Sequence, residues 1–407
     1  MKKPELLIPA GSLEVLKTAV RYGADAVYIG GEQFGLRAKA KNFNTDEMRE
    51  GIEYAHDHGV KVHVTVNIFA HNEDIEGIRE YLGILKELKP DALIIADPSI
   101  FMMAKEICPD IERHVSTQSN NTNYETFRFW HSLGAKRVVC ARELSLAEIK
   151  EIREKIPEDL EVESFIHGAM CISYSGRCLL SAFLAGRDAN KGACTHPCRW
   201  KYAVMEETRP GEYFPVNEDD RGTYIFNSKD LCMLEHIPEL IETGIDSFKI
   251  EGRMKTALYV ATVARTYRMA IDAYMRSPEE YKELLPHLNE EIRKCTYRQF
   301  TTGFYFGKPD ENTQIYDSNT YMRESTYYGM VNGQTEDGHY TWEQKNKFSV
   351  GDELFAMGFD GKDVALKVKE IKDEWGNAME NAPHPKQKLF VSFEENVDLS
   401  VGTLIRG

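Results

Sequence analysis

The chain has 407 residues, of which 42% are hydrophobic and 28% are charged, and it carries a formal net charge of −15 at pH 7. Its composition is typical of a soluble globular protein, and its length suits two or three domains, or one large barrel with an appendage. So acidic a chain is not expected to coat nucleic acid with its whole surface, although a local basic patch could still bind RNA.

The N-terminal sequence carries no targeting signal that we recognise. The apolar stretch before Gly11 is too short for the core of a signal peptide, and no later segment approaches the length of a membrane span. We therefore expect a cytoplasmic protein with no membrane partner. Cysteines stay reduced in that compartment, so they are better interpreted as metal-binding or catalytic than as disulfides.

Short aliphatic strands alternate with amphipathic helices from residue 5 to about residue 275. Leu6–Ile8 begins the series, and Ser12 has the position of an N-cap for the first helix. Further strands are predicted near 26–29, 60–66, 92–96, 114–118, 137–141, 161–166 and 247–250. Further helices are predicted near 45–58, 74–88, 123–133, 146–155, 229–243 and 255–276, with one more after Pro98.

These eight or so strand–helix units predict an α/β fold, a (β/α)8 TIM-like barrel over residues 1–276. A doubly wound open sheet is the alternative, and the absence of a Gly-x-Gly-x-x-Gly turn after the first strand weakens it. Residues 277–325 form a predicted connector with a helix near 279–294. Short alternating strands near 329–331, 352–357, 365–371 and 388–393 then predict a small antiparallel β-barrel domain over 326–407.

Five of the eight cysteines lie in a long insertion after the seventh strand, residues 167–232. They are Cys171, Cys178, Cys194, Cys198 and Cys232. Four thiolates from glycine-rich backbone suit an iron–sulfur cluster or a zinc ion, although the spacing matches neither a zinc finger nor a bacterial ferredoxin. Because five candidates compete for four positions, either Cys198 or Cys232 could be left out.

Individual cysteines differ in their expected environment. Cys232 is expected at the start of a helix, where the helix dipole would stabilise its thiolate, and a structural role is the alternative. Three single cysteines in apolar or helical sequence are expected to be small buried hydrophobic residues: Cys108, Cys140 and Cys295.

The cysteine segment also stands out by its charge. Residues 171–202 carry five Arg or Lys against one acid, Asp188. Arg177 and Arg199 are therefore candidates for contact with phosphates of an RNA or with a co-substrate. The alternative is that these are ordinary solvated surface charges.

Chemistry in such barrels takes place at the carboxyl ends of the strands, so residues there are candidates by position. They are Asn67, Asp97, Gln118, Asn120, Arg142, Glu143, Glu163, His167, Lys249, Glu251 and Arg253. The strongest cluster is 249–253, in which ionisable residues alternate at a strand end beside a glycine that lets a ligand approach. We expect catalytic roles for Lys249, Glu251, Arg253, His167 and Glu163, and a binding role for Gln118.

Structural explanations compete for several of these residues. Asp97 could simply cap the helix after it, and Arg142 could pair with Glu143. His63 and His114 alternate within strands and are expected to be packed rather than catalytic.

Five motifs together resemble one known family, the collagenase-like peptidase family of unknown catalytic type. They are the opening 5–11, Ser164–Cys171 with 174–178, Gly192–Arg199, Ser228–Leu231 and Lys249–Arg253. The resemblance covers essentially the whole chain, and the cysteine signature is long and specific.

The resemblance carries functional expectations. Its historical label is protease, but its better-understood members are oxygen-independent hydroxylases that carry a 4Fe–4S cluster. In length and C-terminal barrel, the chain looks most like the members that form 5-hydroxyuridine at the wobble position of tRNA in a prephenate-dependent reaction. Cys171, Cys178 and Cys194 are the implied ligands, while the fourth matches Cys198 in some relatives and Cys232 in others. A related partner subunit is a further possibility, since some members work as pairs.

Two other functions compete with a hydroxylase. A peptidase would need a cysteine nucleophile with His167 as its base, because the sequence has neither a His-Glu-x-x-His helix nor a Gly-x-Ser-x-Gly elbow. A zinc-stabilised RNA-binding protein would use the same cysteines as a folding staple.

Overall fold

A computed structural model of the chain describes residues 2–35, 42–170, 229–307 and 322–407, with a few isolated positions between 181 and 215. Eight parallel strands close into a barrel because β11 pairs with both β1 and β7. Their bounds are β1 (Glu5–Pro9), β2 (Ala26–Gly30), β3 (Lys61–Val66), β4 (Ala92–Ile95), β5 (Glu112–Val115), β6 (Arg137–Val139), β7 (Glu161–Ala169) and β11 (Ser247–Ile250). The predicted barrel is confirmed, and the open sheet is excluded.

Helices pack around the outside of this barrel. They are α1 (Leu13–Arg21), α2 (Thr45–Asp57), α3 (Ile75–Leu88), α4 (Pro98–Ile107), α5 (Tyr124–Leu133), α6 (Leu146–Lys155), α7 (Ile237–Glu242), α8 (Ala257–Arg276) and α9 (Pro278–Glu291). Side-chain caps define where several begin. Ser12 accepts a hydrogen bond from the Val15 amide, as predicted, and Asn44 forms a capping box with Glu47. Each such cap contributes about 1 kcal/mol.

The segment after β7 differs from its prediction. Residues 229–243 were expected to be one helix, and this is wrong: they form β10 (Asp230–Cys232), a 3-10 turn at Leu234–His236 and the six-residue α7. β10 pairs antiparallel with the last three residues of β7, and β13 (Phe300–Thr301) then pairs parallel with β10. Tertiary strand pairing overrides the local helical pattern here.

Most of the cysteine insertion lies outside the described residues. This includes Cys171, Cys178 and Cys198, as well as Arg177 and Arg199. Within it the structure describes a two-stranded pairing of β8 (Ala203–Val204) with β9 (Phe214–Pro215).

The C-terminal region is antiparallel, as predicted. A short ribbon of β12 (Thr296–Tyr297) and β14 (Met322–Arg323) precedes an eight-stranded antiparallel sheet and the separate pair β18–β22. The remaining strands are β15 (Tyr327–Met330), β16 (Gly333–Gln334), β17 (Tyr340–Glu343), β18 (Phe348–Ser349), β19 (Glu353–Met357), β20 (Asp363–Lys372), β21 (Ala378–Met379), β22 (Asn381–Ala382), β23 (Lys388–Phe393) and β24 (Leu404–Arg406). They enclose one apolar core that includes Trp342 and Phe348.

A buried ionic network joins this domain to the barrel. Arg265 of α8 binds Glu291 of α9 at 2.6 Å and Asp363 of β20 at 2.7 Å. Arg406 of β24 binds the same Glu291 at 2.7 Å, and both arginine side chains are only 2% exposed. Burial alone would raise the pKa of Glu291, but hydrogen bonds from Lys294 and Arg406 lower it to about 2. The two domains therefore share a buried, charged interface in which each of these side chains has an ionic partner.

No helix in the described ranges is both long and apolar enough to cross a membrane.

Candidate active site

The barrel interior is charged where such barrels usually hold branched aliphatic side chains. Arg137, at the start of β6, is 2% exposed and contacts three carboxylates: Glu5 at 2.5 Å, Glu161 at 2.7 Å and Glu163 at 3.1 Å. The second oxygen of Glu163 accepts a hydrogen bond from Lys249 Nζ at 2.6 Å. Taking these charges out of water is costly, so each must be paired to remain ionised.

Glu163 and Lys249 therefore lie together below the rim. Burial would raise the pKa of Glu163, but the charges of Lys249 and Arg137 outweigh it and lower the pKa. The Lys249 ammonium also lies 4.7 Å from the ring centroid of Tyr28 and 5.4 Å from that of Phe165. With both carboxylate oxygens engaged, Glu163 is suited to positioning Lys249 rather than to accepting a proton.

Two histidines fill the same interior. The rings of His63 and His114 meet edge to face at 4.8 Å, and both are fully buried. Burial and the neighbouring His114 lower the pKa of His63 to about 3, and burial with the charge of Arg137 lowers that of His114. Both rings are thus neutral packing groups, as predicted.

Arg253 occupies the open end of the barrel, just past the carboxyl end of β11. Its Nη1 donates a hydrogen bond to Thr65 Oγ1 at 2.7 Å, and the residue is 5% exposed. To reach Thr65, the side chain crosses over Gly30 at the end of β2, where an added Cβ would lie 2.5 Å from Nη1. Gly11 leaves room for the backbone of Arg253, since a Cβ at Gly11 would lie 2.1 Å from the Arg253 carbonyl oxygen. Glycines thus form the cradle of Arg253.

Glu251 and Arg142 meet on the same rim. Arg142 Nη2 lies 3.4 Å from Glu251 Oε2, and Nη1 donates to the Ala169 carbonyl at 2.9 Å. The guanidinium also lies 4.0 Å from the Phe165 ring centroid. Arg142 pairs with Glu251 rather than with its neighbour Glu143, so this interaction across the barrel mouth replaces the local pair that the sequence suggested.

Amides and hydroxyls follow on the adjacent strands. Gln118 Oε1 accepts hydrogen bonds from Asn67 Nδ2 at 2.8 Å and from Ser116 Oγ at 3.2 Å. Asp97 caps α4 by accepting from the Ser99 amide at 2.7 Å, as the structural alternative predicted. Asn120 ends a 3-10 turn over Thr117–Ser119 in a left-handed conformation. Among the described residues, the rim therefore combines the guanidinium groups of Arg253 and Arg142, the Glu251 carboxylate and an oriented amide pair, with Asp97 engaged as a helix cap.

His167 lies in a different layer from this rim. Its Nδ1 is 3.3 Å from the Tyr267 hydroxyl of α8, and its ring also packs near Tyr259 and Phe300. Burial lowers its pKa to about 3, so the imidazole is neutral. The residue is 1% exposed and faces the helical layer, whereas Glu163 faces the barrel interior. The structure thus separates His167 from the other predicted catalytic residues.

Cys232 is in β10 and not at the helix start that the sequence predicted. Its Sγ lies 3.6 Å from the Tyr267 hydroxyl, and burial raises the pKa of the thiol to about 11. Cys232 lies opposite His167 in the strand pairing, and His167 is four residues before Cys171 in the sequence. Cys194 is partly exposed, whereas Cys108, Cys140 and Cys295 are buried, as predicted.

The donor set suits a thiolate-bound metal by its chemistry, since soft thiolates select iron–sulfur clusters and zinc. In the described ranges, which leave out Cys171, Cys178 and Cys198, no three His, Cys, Asp or Glu side chains converge in metal-binding geometry. Cys232 lies in β10, which pairs with the end of β7, the strand that leads into the insertion. Its thiol can become a ligand if a metal displaces its proton.

Several site residues had not been singled out from the sequence. Thr65, Tyr28, Phe165 and Arg137 all contact predicted residues, and Glu5 pairs with Arg137. The charged residues that begin β1 and β6 could have been noticed, because a charge within a short barrel strand needs a buried partner. Nothing local distinguishes Thr65 from an ordinary strand residue.

Comparison with known proteins places the chain among its relatives. The model of peptidase family U32 matches residues 11–315, and that of the peptidase family U32 C-terminal domain matches residues 323–406. The chain belongs to peptidase family U32. The U32 members similar to it carry differing names, so membership alone does not decide between peptidase and hydroxylase.

Three U32 relatives cover nearly all of the chain. A Bacillus subtilis protein named tRNA hydroxylation protein P1 is 44% identical over 97% of this chain and 93% of its own length. The Escherichia coli tRNA hydroxylation protein P is 36% identical over 100% of this chain and 97% of its own. A Porphyromonas gingivalis protein named collagenase is 34% identical over 91% of this chain and 90% of its own.

Proposed function

We propose that this protein is a tRNA hydroxylase that forms 5-hydroxyuridine at the wobble position in an oxygen-independent reaction. The observation that carries the proposal is the near-full-length similarity, at 44% identity, to a protein named for tRNA hydroxylation. The rim of the barrel supports it, because Arg253, Arg142 and Glu251 supply anion-binding groups and a carboxylate beside the barrel mouth. The proposal places the protein in the cytoplasm, with tRNA as its partner, and a related partner subunit is compatible with it.

The proposed cofactor is a 4Fe–4S cluster. Cys171, Cys178 and Cys194 are its proposed ligands, with Cys198 or Cys232 as the fourth. When bound, such a cluster supplies electron transfer or Lewis acidity that side chains cannot provide. The strand pairing of β10 with β7 supports Cys232, because it fixes that thiol beside the segment leading to Cys171.

The proposed co-substrate is prephenate, an organic acid with two carboxylates and a hydroxyl group. Replacing the C5 hydrogen of uracil by a hydroxyl group from water releases two protons and two electrons, so without dioxygen the reaction requires another two-electron acceptor. Arg253 is suited to bind one carboxylate bidentately, while Gln118 orients polar groups beside it. Arg177 and Arg199, both outside the described residues, are proposed to contact further anionic groups.

Roles within the reaction follow from the surroundings of each side chain. Glu251 is the rim carboxylate, and it is proposed to take up the proton released from C5 while Arg142 holds its orientation. Lys249 and Glu163 are proposed to support the floor of the site as positioning residues. His167 is neutral and lies in the outer layer, so the proposal gives it a packing role.

Nucleoside mass spectrometry tests this function. Cells lacking the gene are complemented with the wild-type chain, Arg253→Lys, Cys171→Ala or Cys178→Ala, and tRNA digests are analysed for 5-hydroxyuridine. We expect restoration by the wild type, at least a tenfold loss for Arg253→Lys because Lys lacks the bidentate fork, and no product for Cys171→Ala. Full modification in the Cys171→Ala and Cys178→Ala strains would show that no cluster takes part in catalysis.

Metal analysis of the anaerobically purified protein separates the proposed cofactor from zinc. About four iron and four sulfide per chain is the result expected for a 4Fe–4S cluster. One tightly bound zinc, with no iron incorporated on reconstitution, would favour a zinc-stabilised RNA-binding protein.

A peptidase is the second candidate, favoured by the relative named collagenase. It would require a nucleophile activated by a base, yet His167 is buried beside Tyr267 and its pKa of about 3 makes it a weak base. Turnover of a defined peptide that one cysteine-to-alanine change abolishes without loss of metal would support the peptidase instead.

A further inference from the structure

A small ribbon borders the open end of the barrel. β12 and β14 pair antiparallel, with Thr296 opposite Arg323 and Tyr297 opposite Met322. Two contacts hold the ribbon against the barrel: Tyr297 stacks on Phe300 of β13 at 4.8 Å, and Lys255 Nζ donates to the Thr296 carbonyl at 3.5 Å. The ribbon therefore has a defined position beside the turn between β11 and α8.

That turn carries the rim residues of the proposed active site. Glu251 and Arg253 precede Lys255 by four and two residues, and the Lys255 amide donates to the Gly252 carbonyl at 2.8 Å to close the turn. A group bound along the ribbon thus lies next to the barrel mouth.

Cations collect along this ribbon. Lys255 lies on the turn, Arg293 shortly before β12, and Arg323 in β14. Arg293 and Arg323 are exposed, and no carboxylate within the described ranges forms an ion pair with either. Arg276, another exposed arginine, is instead paired with Glu280 in the first turn of α9. In a chain with a net charge of −15, this stretch is a local exception.

Glu324 directly follows β14, and apolar side chains flank the ribbon. The Glu324 carboxylate accepts a hydrogen bond from the Tyr297 hydroxyl, which fixes its position. Met254 is 56% exposed and Met322 is 37% exposed. Arginine and methionine are both enriched in binding interfaces, because one brings charge and the other brings adaptable apolar contact.

We propose that this basic ribbon, defined as Lys255, Arg293 and Arg323 with Met254 and Met322, binds the phosphate backbone of the RNA whose base enters the barrel. The inference rests on the proposed function, since it takes tRNA as the substrate. Exposed guanidinium groups bind phosphate oxygens in a fork geometry, and the acidic remainder of the surface repels RNA. Binding is thereby directed to the border of the active site.

Charge reversal on the ribbon tests this inference. The variant Arg293→Glu/Arg323→Glu is compared with Arg276→Glu/Lys282→Glu, which has the same change in net charge. Arg276 ends α8 and Lys282 lies in the first turns of α9, whereas Lys255 precedes α8. By helix length, Arg276 lies about 30 Å from Lys255 along α8, and Lys282 lies about 16 Å from Arg293 along α9.

The readout is the dissociation constant for an unmodified tRNA transcript, measured over a range of salt concentrations. We expect the ribbon variant to bind at least tenfold more weakly than the control variant. The milder Arg293→Gln/Arg323→Gln variant should lower the slope of log affinity against log salt by about two, one for each lost phosphate contact.

Two results would overturn the inference, and only the second would also overturn the proposed function. If the wild type binds tRNA and the ribbon variant matches the control within twofold, the ribbon is not the binding surface, while the proposed function is unaffected. If the wild type binds no tRNA even at low salt, the proposed function fails as well.

Discussion

Replacing Lys249 by methionine separates a positioning role from a chemical one. Methionine has a similar length and no charge, so Lys249→Met leaves Glu163 Oε1 without its 2.6 Å partner in a fully buried site. Breaking a buried ion pair from one side costs about 3–5 kcal/mol. Arg137 still contacts the other oxygen at 3.1 Å, so we expect a loss near the lower end, about 3 kcal/mol.

The matched control also removes the negative charge of Glu163, which Lys249→Met leaves without its partner. In Lys249→Met/Glu163→Gln the amide can still accept a hydrogen bond from Arg137, and no unpaired carboxylate remains. We therefore expect the double variant to be more stable than Lys249→Met, with a coupling energy of about 1–3 kcal/mol. The free energy of unfolding is measured by urea denaturation of the wild type, both single variants and the double variant.

Activity measured on the same four proteins completes the test. If Lys249 positions the site floor, the double variant recovers part of the hydroxylation that Lys249→Met loses, because the fold around Tyr28 and Phe165 is restored. A stable double variant that is as inactive as the single variant would refute this reasoning and assign Lys249 to the chemistry. If the loss of stability in the double variant equals the sum of the losses in the two single variants, the proposed coupling energy between Lys249 and Glu163 is refuted.

Two further predictions address the rim and the interior. Gly30→Ala should reduce activity at least tenfold and cost about 1–3 kcal/mol of stability, because its Cβ displaces the buried guanidinium of Arg253 from Thr65. Gly83→Ala, with open space around its Cβ, is the control that should keep full activity. A Gly30→Ala variant with normal activity would contradict the cradle. Acid should destabilise the protein: His63 has a pKa of about 3 when folded and about 6.5 when unfolded, so only the unfolded chain gains its proton between these values. Stability should fall by about 2 kcal/mol from pH 6.5 to pH 5 through His63, with His114 adding in the same direction, and His63→Leu should make urea-denaturation midpoints depend less on pH. Equal wild-type stability at pH 7 and pH 5 would disprove this.

The barrel was predictable from the sequence because its signal is repeated. Each strand is a short aliphatic run and each helix has an apolar face, so an error of a few residues at one boundary does not change the architecture. The ends of β5 and β6 were predicted two or three residues too far along the chain, yet Gln118 and Arg142 were still identified as rim residues. Position in the fold, and not local chemistry, carried those predictions.

His167 shows where strand alternation fails. Strict alternation of side chains along β7 would place His167 on the same face as Glu163, toward the barrel interior. The register between β7 and β11 instead shifts by one residue, so that Lys249 pairs with Phe165 but Ile250 pairs with His167. An extra residue in one strand reverses the faces that follow it, and this turns the histidine toward α8. Such a shift depends on the partner strand and is not encoded in the local pattern.

The cradle of Arg253 was hidden for a related reason. Gly11 and Gly30 follow β1 and end β2, and each looks like an ordinary turn glycine in the sequence. Their importance arises from Arg253, more than 200 positions later, whose carbonyl lies against Gly11 and whose side chain crosses over Gly30 to reach Thr65. Only closure of the barrel, in which β11 and β2 flank β1, brings these residues within contact.

The shared interface between the barrel and the C-terminal domain also determines how the chain loses its structure. Glu291 belongs to the barrel side, and its partners Arg265 and Arg406 come from both sides. If the C-terminal domain detached, Glu291 would lose Arg406 and Arg265 would lose Asp363. The Tyr22 hydroxyl would also lose its hydrogen bonds with the backbone of Met357 and Leu404. Separating the two domains is therefore costly, and each is expected to stabilise the other against unfolding.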